Sequence, residues 1–143
     1  LASPEDYLAS VWFDAQNAPL DRLRSKLVAH LVVYHLTEWS RQDERDILEV
    51  RETLRQQSPA LNALMGLCFD ESGYELEVEA LTVPIEDYGS LALEDFMVSL
   101  YNSHQVQRLM LHGTDGYRQE MILALREGLD LLLALRGWEI APA

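Results

Sequence analysis

The sequence predicts a single α+β domain over residues 1–143, with N-terminal helices, a central antiparallel β-hairpin or small sheet, and C-terminal helices packed on one face of it. Segments at both ends repeat apolar residues at helical spacing and carry helix-capping chemistry. Between them, Tyr74 to Val83 alternates apolar and polar residues with the period of two that a half-buried strand needs. A chain of 143 residues with 48% hydrophobic content is enough for one core, and five prolines, seven glycines and no low-complexity run leave no long linker.

Ser3, Pro4, Glu5 and Asp6 form a helix start: a side-chain cap, a proline at the first helical position, and acids near the positive end of the dipole. Asn17 to Pro19 end that helix, and Asp21 is placed to cap a second one running to about Trp39. Its stripe of Leu23, Leu27, Leu31 and Tyr34, widened by Val28, Val32 and Trp39, predicts a central helix. From Gln42 to Gln57 the charge alternates, and only Ile47, Val50 and Leu54 form a narrow apolar seam. Ser58 and Pro59 either start a short helix or end the helical region.

The apolar run from Leu64 to Phe69, the turn chemistry of Asp70 to Gly73, and the alternating segment together predict a hairpin that Pro84 terminates. Ser90 is placed to cap a helix with Leu93, Phe96, Met97 and Leu100 on one face, and Val106 to Leu111 fits either helix or strand. Thr114 is expected to cap a final long helix through Tyr117, Met121, Leu125, Leu129, Leu132 and Leu133, closed by Gly137.

Charge is distributed unevenly along this order. The net charge is −13, and no lysine or arginine falls between Gln56 and Gln107, where Asp70, Glu71, Glu75, Glu77, Glu79, Glu86, Asp87, Glu94 and Asp95 all lie. Such a field attracts cations and basic partners and repels nucleic acid and anionic membrane. On the alternating segment, Glu75, Glu77 and Glu79 share one face, about 7 Å apart.

Catalytic patterns are missing. There is no G-x-S-x-G elbow and no glycine-rich phosphate loop, and Cys68 has the apolar neighbours Leu67 and Phe69 of a buried thiol. His30, His35, His104 and His112 contain no i, i+4 pair of the kind that clamps zinc. Asp70 to Glu75 begins like a calcium loop, but Glu75 stands where an EF-hand needs glycine and Leu81 where it needs glutamate.

The resulting expectation is a non-enzymatic acidic protein-binding module, an adaptor, regulator or small chaperone, whose face around residues 70–95 docks a basic protein segment through Glu75, Glu77, Glu79, Glu86 and Asp87. One alternative is calcium binding at a non-EF-hand site built from Asp70, Glu71 and Glu75, and no other cofactor is expected. A second alternative is mimicry of nucleic-acid phosphates that blocks a DNA-binding protein. Direct nucleic-acid binding and membrane association are not expected, and the seam of Ile47, Val50 and Leu54 suggests a homodimer. The lone cysteine and the acidic N-terminal residues point to a cytoplasmic location.

Overall fold

The computed structural model describes residues 3–40, 46–82 and 105–138. In chain order these form α1 (Pro4–Asn17), α2 (Arg22–Ser40), α3 (Ile47–Gln57), α4 (Pro59–Cys68), β1 (Glu75–Thr82), β2 (Gln105–His112), β3 (Arg118–Glu120) and α5 (Met121–Arg136). The architecture is α+β, as the sequence predicts, with an antiparallel three-stranded sheet in the order β1-β2-β3. The expected helix starting at Ser90, together with Glu86, Asp87, Glu94 and Asp95, lies outside the described residues.

α1 starts with a capping box in which the Asp6 amide donates to Ser3 Oγ and the Ser3 amide to Asp6 Oδ2. Asp21 accepts from the Arg24 amide at the start of α2. α2 nevertheless turns a different face inward from the one its leucine stripe suggests. Ser25, Val28, Ala29, Val32, Val33 and Leu36 are buried, whereas Leu23, Leu27 and Tyr34 are 83%, 41% and 60% exposed. Valines and small residues allow close approach to α5, α1 and α4, so the longer side chains are turned away.

Val50 and Leu54 of α3 are buried in the main core alongside residues of α4 and α2. Two of the three seam residues that suggested a homodimer are therefore taken up within the chain, while Ile47 is half-buried. Ser58 caps α4, accepting from the Leu61 amide, with Pro59 at the first helical position.

Residues 64–69 are helix and its cap rather than a strand. Every residue of α4 from Ala63 through Cys68 is buried, so no periodicity marks it as helical. Its end is a Schellman stop in which the Glu71 amide bonds the Gly66 carbonyl and the Asp70 amide that of Leu67, with Asp70 at φ 53°. What reads as hairpin-turn chemistry is thus a helix terminator.

β1 pairs instead with β2, in a register that sets Glu75 opposite His112, Glu77 opposite Met110 and Glu79 opposite Arg108. Leu76, Leu109 and Leu111 share the face turned toward α5 and the core. β2 and β3 are joined through Thr114–Tyr117, where the Tyr117 amide donates to the Thr114 carbonyl and Asp115 and Gly116 have φ 59° and 77°. Two consecutive positive φ values describe a type I′ turn, for which Asp-Gly is a favoured pair. Thr114 therefore belongs to a hairpin and caps no helix. α5 begins directly after β3 at Met121, buries Leu125, Leu129 and Leu132, and ends at Gly137 in the left-handed region.

Candidate functional site

The face of the sheet away from the core carries the charged ladder. Directly opposed residues of an antiparallel pair share a face, so Glu75, Glu77 and Glu79 stand beside Arg108, Met110 and His112, with Arg118 and Glu120 of β3 completing the row. Glu79 is the centre of it. Its Oε2 lies 2.5 Å from His112 Nε2, and its Oε1 accepts from Arg118 Nη2 at 2.8 Å. The hydrogen bond from Arg118, and after it that from His112, holds the Glu79 carboxyl below the usual carboxylate range. The contact between Glu79 and His112 spans the position of Met110, which is only 3% exposed although it lies on the polar face. Arg108 pairs with Glu120 at 3.0 Å, and Glu77 lies 3.8 Å from His112.

These contacts correct the premise drawn from the sequence. The acidic stretch has no cations of its own, yet the fold brings them from elsewhere: Arg118 to Glu79, Lys26 to Asp70 at 3.4 Å and Arg55 to Glu71 at 2.7 Å. Glu75 and Glu77 have no lysine or arginine partner among these pairs and are exposed.

Asp70, Glu71 and Glu75 are not gathered into a metal-ligand group. Among the described residues the group with that geometry is Glu77, Glu79 and His112, whose ligand atoms lie within 4.8 Å of one another. An imidazole with two carboxylates suits a transition metal better than calcium, which prefers oxygen ligands. Both Glu79 oxygens are already engaged, by His112 and by Arg118.

A second polar cluster escapes sequence reasoning. Arg55 of α3 donates from both terminal nitrogens to Glu71 and from Nε to Asn62 Oδ1 at 2.7 Å. Asn62 Nδ2 reaches the Tyr74 hydroxyl, which also meets Thr114 Oγ1 at 3.0 Å. The forked pairing holds the Glu71 carboxyl below its usual range and raises Arg55. Asn62, Tyr74 and Thr114 are far apart in sequence and carry no spacing signal, so only the tertiary fold reveals them. Cys68 is buried nearby in α4, and that burial pushes its thiol up to about 12, which leaves no nucleophilic thiolate at neutral pH.

No family model, curated protein or solved structure matches the chain. No helix among the described residues is long and apolar enough to cross a membrane.

Proposed function

We propose that the chain is a non-enzymatic protein-binding module that takes a basic extended segment along the outer edge of β1. The observation that supports this reading is the state of that strand. It is eight residues long, none of them is buried, and among the described residues it has a partner strand on one side only. An open edge offers unpaired backbone donors and acceptors to an added strand. Glu75 and Glu77, two residues apart on one face, are placed to meet alternate lysines or arginines of such a segment. The docking face is narrower than the sequence suggests, because Glu79 is already held by Arg118 and His112.

A peptide alternating lysine with β-branched residues tests the reading, against a control in which glutamate replaces lysine. Binding should weaken as salt rises, slow amide exchange along β1, and drop sharply in a Glu75→Gln/Glu77→Gln variant. Unchanged exchange along β1 in the presence of the basic peptide, or binding indifferent to the double substitution, would overturn it.

A further inference from the structure

α2 is apolar on two opposite sides. Its inner face packs on α1, α4 and α5, while Leu23, Leu27 and Tyr34, at i, i+4 and i+11, share the opposite side with half-buried Leu31 beside them. Exposed His30 interrupts this outer stripe, yet three large side chains on it stay open to water. The outer stripe is also self-complementary in charge. On one flank of it, Arg24 lies toward the N-terminus and Glu38 toward the C-terminus, equally far from Leu31.

We infer that this face is covered by α2 of a second copy of the chain, running antiparallel about a two-fold axis at Leu31. That symmetry preserves the flank, so Arg24 of each copy meets Glu38 of the other, and Leu27 of each packs beside the other's Tyr34. A parallel pair would instead bring the two Arg24 side chains to one level and the two Glu38 side chains to another, with neither charge matched. Within its own chain Arg24 has an exposed pair with Asp21 at 3.4 Å, which competes weakly. This surface is separate from the β1 edge and does not depend on the reading given to that strand.

Sedimentation of the full chain at micromolar concentration should give twice the 16.3 kDa mass of one copy. Leu27→Glu should leave the melting temperature and circular dichroism of the fold in place while producing the monomer, since Leu27 is partly exposed. Arg24→Glu and Glu38→Arg should each weaken association roughly tenfold or more, because each sets like charges together at both ends. Mixing those two variants should restore the dimer as a heterodimer. A monomeric wild type, or a dimer unaffected by Leu27→Glu and by both charge changes, overturns the inference.

Discussion

Between Asp70 and Tyr74 the chain is tied back to the helices: Asp70 meets Lys26 of α2, Glu71 meets Arg55 of α3, and the Tyr74 hydroxyl meets Asn62 of α4. From Glu75 to Thr82 no residue is buried, and Arg118 reaches across to Glu79. The two pieces are adjacent and both acidic, yet one is an anchor tied to the helices and the other, among the described residues, has a partner strand on one side only. Local charge density therefore says little about role. What separates them is whether a helix supplies a cation and a hydrogen-bonding amide within reach.

The anchor breaks most readily at Gly66. A Cβ built there would lie 2.5 Å from the Tyr74 ring, well inside contact distance. Alanine normally favours a helix interior over glycine by about 1 kcal/mol. Here Gly66→Ala should instead destabilise by about 1–3 kcal/mol, because the ring must shift and lose its hydroxyl contacts. Urea unfolding checks the sign. In a Tyr74→Leu background the clash is relieved and the same alanine should become neutral or favourable; a loss of equal size in both backgrounds would show that the ring is not the cause.

That close approach also shows where the sequence is readable and where it is not. The caps at Ser3 and Asp21, the stop at Gly137 and the alternating strand are local signals, set by a few neighbouring residues, and each appears where expected. Asp115-Gly116 is an equally local hairpin signal, but Thr114 just before it also fits a helix cap, and the two readings compete. Residues 64–69 are not decidable from pattern, since a helix buried all round has no polar side to reveal its period. The inward face of α2 depends on which neighbour it packs against, and Leu23 and Leu27 are as apolar as the valines that turn inward instead. The cation partners of the acidic stretch lie up to 44 residues away in sequence, beyond any window.

Removing the arginine of the anchor should have a middle-sized effect. Arg55→Met keeps the aliphatic stem but takes both hydrogen bonds from Glu71, which should cost about 1–2 kcal/mol, at the lower end because Glu71 is partly open to water. The effect should depend on pH. Glu71 titrates below its ordinary 4.5 in the fold, so the stability it contributes is fully present above that value and is lost as pH falls through the folded value. Urea midpoints of wild type and Arg55→Met should therefore converge as pH is lowered through that window. Curves that stay parallel would mean the arginine acts by packing over the Tyr74 ring, whose centroid is 6.0 Å from its guanidinium carbon.

The smallest effects should come from the edge, and they separate its residues from one another. Glu79→Gln removes the carboxylate that Arg118 and His112 both contact, so its melting temperature should fall slightly at neutral pH. The Glu79 carboxyl is also held below its ordinary value, so that deficit should fade on acidification, as the wild-type group becomes protonated too. Glu75→Gln has no such arginine pair to lose and removes repulsion from its neighbours on the same strand face, so its melting temperature should stay level or rise. The difference between the two variants, measured at neutral pH and again at about pH 3, isolates the ion network from general acidity. If both glutamines raised the melting temperature equally, Glu79 would be one more member of a repelling row, and the proposed docking face would extend across the whole strand.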